Sequence, residues 1–268
     1  MKLLQRPKKS LGQNFLIDKN IINKITKIID INDKSTILEI GAGSGNLTES
    51  ISKMFPKKIF AVEKDKKLAF MLKKKFGNHK NIKIINQDIF NIIEKKSFGD
   101  KIIVFGNLPY NISTQILASF IMLQKWPPWY DVLIFMFQKE VADRIIAKSN
   151  TKEFGRLSIL SNWRLTIKKH FDISKNCFFP KPKINSTLLS FTPKKVNHFN
   201  LKNPKNLEII TRTLFSNRRK MINKNFNKLF KRKISLIKGI DIDLSKRPEE
   251  LSNEVFYKIA TQYEKLFG

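Results

Sequence analysis

Short apolar runs alternate with segments of helical periodicity through the first 170 residues, and this alternation limits the fold more than any other feature of the chain. Thr36–Ile40 (TILEI), Lys58–Val62 (KIFAV), Ile82–Asn86, Lys101–Phe105 and Val132–Phe137 (VLIFMF) each read as a strand. Helices are predicted between and after them, over Leu47–Met54, Lys66–Phe76, Ser113–Leu123 and about Gln138–Lys148. One more precedes them, at Asp18–Ile29, where Ile21, Ile22, Ile25, Ile28 and Ile29 fall at helical spacing. A strand that returns in the same direction needs a crossover, so the pattern predicts a parallel sheet with helices on both faces. The alternation then stops. A proline-rich loop (Phe178–Pro182) and a strand (Thr187–Thr192) are followed by helical periodicity alone, over Leu207–Phe215, Lys220–Phe230 and Asn253–Leu266. A boundary near Pro193–Pro204 divides the chain into an α/β domain, residues 1–195, and a small basic helical domain, residues 196–268.

Charge says what such a chain meets. Lys and Arg number 52 against 22 Asp and Glu, a net +30. Lysine-rich coding bias accounts for part of this, but the distribution is uneven: Lys181–Lys238 holds 16 basic residues and one acid, Glu208. A block that basic repels itself until a polyanion neutralises it, and released counterions favour that binding, so a nucleic-acid partner is expected. The lone Cys177 and three scattered histidines (His79, His170, His198) argue against a disulfide or a metal site. Met1–Ser10 is basic, yet Gln13, Asn14 and Asp18 break what a signal peptide would keep apolar, and the longest apolar run, Val132–Phe137, is far short of a membrane span. The expectation is a cytoplasmic monomer with no membrane partner and no metal.

A glycine turn and two acids converge on one sheet edge. Gly41, Gly43 and Gly45, in Glu39-Ile-Gly-Ala-Gly-Ser-Gly45, follow a strand and open a helix, where bare backbone can approach a ligand closely. Their spacing is G-x-G-x-G rather than the dinucleotide G-x-G-x-x-G, which weakens the case for NAD. Glu63 ends the second strand, where a carboxylate accepts from ribose hydroxyls, and Asp88 follows the third, where it could accept from an adenine amino group. Each acid alone reads most simply as a solvated loop residue; all at successive strand ends, they favour an adenosyl cofactor.

Asn107-Leu-Pro-Tyr110 ends the fourth strand on the same edge. It can be a plain Asn-x-Pro turn, since Pro109 disfavours helix at Leu108. It also suits a specific chemistry. An exocyclic adenine nitrogen is a poor nucleophile because its lone pair is delocalised into the ring. The Asn107 side-chain oxygen and the Leu108 carbonyl can accept from that amino group, Pro109 stiffens the turn, and Tyr110 offers a stacking face to an extruded base.

The strings GQNFL (Gly12–Leu16), EIGAGSGNLT (Glu39–Thr48), FGNLPYNIST (Phe105–Thr114), QKEVADRI (Gln138–Ile145), FGRLS (Phe154–Ser158), FFPKPKINS (Phe178–Ser186) and LFSNRRKM (Leu214–Met221) span the chain. Together they resemble the KsgA-type ribosomal RNA small-subunit adenine dimethyltransferases. The resemblance implies a Rossmann-like fold, S-adenosyl-L-methionine as methyl donor, and dimethylation of two adjacent adenosines in a hairpin loop near the 3′ end of 16S rRNA in the 30S particle. It implies cofactor contacts at Asn14, Leu16, Gly41, Glu63, Asp88 and Asn107, to which the glycine turn adds Gly43, methylation by Asn107, Leu108, Pro109 and Tyr110, and a base-stacking ring at Phe178. Phe179 stands where the family commonly has a small polar residue, and Ala42 where it often has proline. RNA contacts are expected at Lys8, Lys9, Arg218, Arg219 and Lys220. The Erm-like large-subunit enzymes share the Asn-x-Pro-Tyr motif, but Asn217-Arg-Arg-Lys220 and the long basic C-terminal part favour the small-subunit family. A non-catalytic assembly factor would have let Gly41, Glu63, Asp88 and Asn107–Tyr110 erode, and a dehydrogenase lacks a hydride-transfer partner.

Overall fold

A computed structural model describes residues 12–94, 98–99, 101–196, 199–231 and 242–268. Lys8 and Lys9 lie outside the described residues. Along the chain run β1 (Phe15–Leu16), α1 (Lys19–Thr26), β2 (Thr36–Ile40), α2 (Asn46–Ser52), β3 (Lys58–Val62), α3 (Lys66–Phe76), β4 (Ile82–Ile85), β5 (Ile102–Gly106) and α4 (Ser113–Ile121). They continue with β6 (Tyr130–Gln138), α5 (Lys139–Ile146), α6 (Arg156–Arg164), β7 (Leu165–Ile173), β8 (Phe178–Phe179), β9 (Ser186–Pro193), α7 (Lys205–Leu214), α8 (Asn223–Leu229) and α9 (Asn253–Phe267).

Seven strands form one sheet in the order β4-β3-β2-β5-β6-β9-β7. From β4 to β6 neighbouring strands are parallel, as the alternation predicts. Their central members are buried on both faces, with Ile37, Leu38, Val104, Phe105, Leu133 and Phe135 sealed from solvent. Beyond β6 the wholly parallel reading fails: β9 runs antiparallel to β6, from Leu133↔Phe191 to Gln138↔Ser186. The sheet is therefore mixed, and its β7 edge was hidden in the sequence because LTIKKHFDI places Lys168, Lys169 and His170 where an apolar run would be. Charged edges of this kind discourage pairing with a further strand. Helix starts follow ordinary capping: Asp18 accepts from the N–H groups of Asn20 and Ile21 at α1, and Asp65 from those of Lys67 and Leu68 at α3.

The chain divides into two compact units. The first takes in the chain as far as Ser119 together with Pro128–Ala142 and Lys168–Pro193, and holds most of the sheet. The second takes in Phe120–Pro127, Asp143–Ile167 and Lys194–Gly268. Within it the Arg164 guanidinium donates to the carbonyls of Ile121 and Leu123 at 3.0 and 2.7 Å and lies 4.0 Å from the Trp163 ring. The Glu264 carboxylate takes the N–H groups of Lys202 and Asn203 and the Asn206 amide, all within 2.8 Å, so α9 satisfies the donors that open α7. No described helix is long and apolar enough to cross a membrane.

Candidate active site

Strand order reverses between β2 and β5: the chain goes from β2 outward to β4, then returns to β5 on the other side of β2. Such a switch point leaves a crevice at the carboxyl ends of the two strands, where ligands of open α/β sheets bind. Ile40 and Gly106 are paired at that edge, so the glycine turn after β2 and Asn107 after β5 are neighbours by construction.

A cavity of about 230 Å³ opens there. Its lining includes Asn14, Gly41, Gly43, Glu63, Asp88, Asn107, Leu108 and Pro109, all expected from the sequence. A Cβ built on Gly41, whose φ is +72°, would stand 3.7 Å from the Asn107 carbonyl oxygen and 4.0 Å from Pro109 Cδ, inside the gap between the two loops. On Gly43, at φ +55°, it would strike the Phe15 ring at 2.9 Å. Glycine is thus required at both, and the space it leaves is a cradle that an extended adenosyl group fits.

Glu63 caps this cradle. Its Oε2 accepts from the Gly43 N–H at 2.9 Å and its Oε1 from the Asp65 N–H at 2.8 Å, so the carboxylate is locked in plane with one lone pair of each oxygen in use. The remaining lone pairs can accept a pair of vicinal hydroxyls. Burial pushes its pKa up, and the two backbone donors pull it back. Asp88 accepts from the Phe90 N–H at 3.2 Å and ion-pairs through its other oxygen with Lys64 Nζ at 2.8 Å. Lys64 itself lines the cavity. Beneath the glycine turn, Glu39 is 2% exposed and accepts from Thr48 Oγ1; burial raises its pKa to about 8.

Asn107 is oriented from the N-terminal segment. Its Nδ2 donates to the Asn14 carbonyl at 2.8 Å, which commits the amide nitrogen and turns Oδ1, a pure acceptor, the other way. The hydroxyl of Tyr110 lies 2.7 Å from Ser186 Oγ. Burial raises the phenol pKa, and the Ser186 contact lowers it.

Three expected residues, Leu16, Tyr110 and Phe178, do not line the cavity. Leu16 and Phe178 are paired across β1 and β8, and both side chains belong to the hydrophobic core, with Phe178 2% exposed. The Leu16 carbonyl takes the Asn46 amide at 2.8 Å. The residues on the opposite side of that two-stranded ribbon are Phe15, which lines the cavity, and Phe179, 45% exposed. Phe15, Gln87, Ile89, Asn111, Ile112 and Ile116 also line the cavity and were not singled out from the sequence. Apolar residues adjoining Asp88 and the Asn-x-Pro-Tyr turn were the available signal, since a flat heterocycle needs apolar walls beside its polar anchors.

In the second unit, Arg218 is already engaged. Its Nε ion-pairs with Glu249 at 2.7 Å and its Nη2 donates to the Lys152 carbonyl. Arg219 and Lys220 are exposed. No group of three or more His, Cys, Asp or Glu residues placed to hold a metal occurs among the described residues.

Comparison with known proteins bears on this geometry. Residues 4–265 match the family model described as Ribosomal RNA adenine dimethylase. The chain is 53% identical over 263 residues to a "Ribosomal RNA small subunit methyltransferase A" of Pelagibacter ubique, covering 98% of this chain and 99% of that one. It is 36% identical to a protein of the same name from a Wolbachia of Drosophila simulans, covering 99% and 97%. A crystal structure of a dimethyladenosine transferase from Plasmodium falciparum shares the fold, with a TM-score of 0.73 over 91% of this chain and 95% of that chain at 24% identity. A match that runs through the glycine turn, Asn107–Tyr110 and the basic C-terminal helices alike leaves one conclusion: the chain belongs to the ribosomal RNA adenine dimethylase family, enzymes that take their methyl group from S-adenosyl-L-methionine.

Proposed function

We propose that this chain dimethylates the N6 amino groups of two adjacent adenosines in a hairpin loop near the 3′ end of 16S rRNA, acting as a monomer in the cytoplasm on the 30S subunit or its precursor. The observation that carries this reading is the Asn107 amide, fixed by the Asn14 carbonyl at 2.8 Å so that its oxygen is the group offered to the cavity. Gly41 and Gly43 leave room for the cofactor, Glu63 accepts from its ribose, Asp88 from its adenine, and Asn14 and Leu16 contribute from the N-terminal segment. S-adenosyl-L-methionine supplies an electrophilic methyl group on a sulfonium.

The protein's part is to make a poor nucleophile good. Asn107 Oδ1 and the Leu108 carbonyl accept the two N6–H bonds, drawing the nitrogen out of conjugation and aiming its lone pair along the transfer line. On taking that methyl group from the sulfonium, which would leave as the neutral thioether, the N6 nitrogen would become cationic and strongly acidic. Its proton passes to water, so no strong base is required. The monomethylated nitrogen still carries one hydrogen and can repeat the step. Pro109 keeps the turn stiff, and Tyr110 with an aromatic of the Phe178-Phe179 pair receives the extruded base. Residues 1–195 perform the chemistry, and residues 196–268 set register on the RNA through phosphate contacts of Arg218, Arg219 and Lys220, joined by Lys8 and Lys9 of the N-terminal segment.

The test is transfer of labelled methyl from S-adenosyl-L-methionine to 30S particles lacking the modification, with the modified bases mapped by mass spectrometry. Two dimethyladenosines near the 3′ end of 16S rRNA are expected, and about a hundredfold less with Asn107→Ala. Transfer confined to 23S rRNA would overturn the substrate, and a wild-type rate for Asn107→Ala the mechanism.

A further inference from the structure

The string FFPKPKINS ends on Ser186, a residue to which the reaction above gives no task. Ser186 opens β9, is wholly buried, and meets the hydroxyl of Tyr110 at 2.7 Å. We propose that Ser186 is a positioning residue: its hydroxyl pins the far end of the Tyr110 side chain, and so fixes the ring face that receives the target adenine. The inference rests on the reading of Asn107–Tyr110 as the methylating turn, and deepens it.

The two partners differ in rigidity. Ser186 sits on a strand, paired with Gln138 of β6. Its neighbours are tied on both sides. The Asn185 carbonyl takes the Lys139 N–H at 3.0 Å, the Asn185 side-chain oxygen takes the Lys175 N–H at 3.0 Å, and Thr187 Oγ1 donates to Asp172 at 2.8 Å. A serine has one rotatable bond to its hydroxyl, so this oxygen is held nearly as firmly as the sheet itself. Tyr110 by contrast lies in the connection between β5 and α4, where its carbonyl accepts from Ser113 Oγ at 3.2 Å. Its ring swings on two dihedrals unless the hydroxyl is caught. With the backbone held at one end and the phenol at the other, the plane of the ring is set before any base arrives. Preorganisation of this kind acts on the rate of transfer, because a stacked base that rocks carries its amino group away from Asn107 Oδ1.

A bond that served only to satisfy a buried hydroxyl would leave a different signature. It would cost stability, and the losses on removing each partner would not be linked through catalysis. The experiment is a double-mutant cycle with Ser186→Ala and Tyr110→Phe, read as the single-turnover rate of methyl transfer to unmodified 30S particles at saturating S-adenosyl-L-methionine. Calorimetric affinity for S-adenosyl-L-methionine and the thermal midpoint are measured alongside. Each single variant is expected to slow transfer about tenfold, with the double variant no slower than either and cofactor affinity within about twofold of wild type. Ser186→Thr, which keeps the hydroxyl, is expected to restore most of the rate. Independent losses that multiply to about a hundredfold, or a wild-type rate in Ser186→Ala, would overturn the proposal. If Ser186→Ala does not fold, Tyr110→Phe decides alone: an unchanged rate overturns the proposal and a slowed one upholds it. Tyr110→Ala and Asn107→Ala separate the levels. If both keep the wild-type rate, the reading of the turn itself has failed; if both are slow while Ser186→Ala is not, only the role of Ser186 has.

Discussion

Replacing Glu39 with Gln should stabilise the fold at neutral pH, and increasingly so as pH rises. Glu39 is 2% exposed in the central strand β2, directly beneath the glycine turn, and its pKa is raised from 4.5 to about 8. Burial is the largest cause; Glu63 adds to it, while the Thr48 hydroxyl and Lys75 oppose it. The sign follows from which state binds the proton. Above pH 4.5 the unfolded chain gives up the Glu39 proton, while the folded protein keeps it until about pH 8. Folding stability assigned to this group is therefore complete below 4.5 and drains away as pH rises towards 8. The drain runs at up to about 1.4 kcal/mol per pH unit, so the sum approaches roughly 3–5 kcal/mol at the alkaline end. Glutamine mimics the protonated acid and cannot titrate. The assay is urea unfolding of both proteins from pH 5 to 8, taking the difference between the two curves so that every other titrating group cancels. A difference that grows by about 1 kcal/mol per unit supports the assignment. A flat difference between pH 5 and 7.5 would refute it, and would mean that water or Lys75 keeps the carboxylate charged.

Glu63→Ala should weaken S-adenosyl-L-methionine binding by about 1.5–3 kcal/mol in calorimetry, since its carboxylate, held by two N–H groups, is the proposed ribose acceptor; unchanged affinity would remove that assignment. Phe178→Ala should cost about 3–5 kcal/mol of unfolding free energy because its ring is packed in the core, whereas the exposed Phe179→Ala should cost under about 1 kcal/mol and act on transfer rate instead. Equal stabilities for the two would contradict the β1–β8 register. Arg219→Ala with Lys220→Ala should flatten the dependence of 30S affinity on log salt by about one to two units and leave cofactor affinity unchanged. Arg218→Ala should lower thermal stability, as it breaks the contacts with Glu249 and Lys152; wild-type stability there would leave RNA contact as the only task of Arg218.

The parallel half of the sheet could be read from the chain because its strands are buried on both faces and so appear as unbroken apolar runs, TILEI and VLIFMF above all. The glycine turn and Asn107 were legible for a related reason: strand-to-helix turns at a switch point use residue types that little else requires. What escaped notice has no periodic signature. Helix α6 buries Ser158, Ile159, Leu160, Ser161, Trp163 and Arg164, so most of its circumference is covered and no apolar stripe stands out. Strands β1 and β8 are two residues each, too short for alternation to be seen. Yet that ribbon decides which aromatic faces the cavity. Its register sets Leu16 opposite Phe178 and Phe15 opposite Phe179, and opposed residues of an antiparallel pair project to the same side. With Leu16 in the core and Phe15 on the cavity wall, the resemblance that singles out Phe178 and the geometry that exposes Phe179 point to different rings. The same segment sends the Asn14 carbonyl to the Asn107 amide. A stretch that reads in the sequence as a polar lead-in is therefore tied to the Asn-x-Pro-Tyr turn by a backbone group, and backbone groups leave no trace in residue identity.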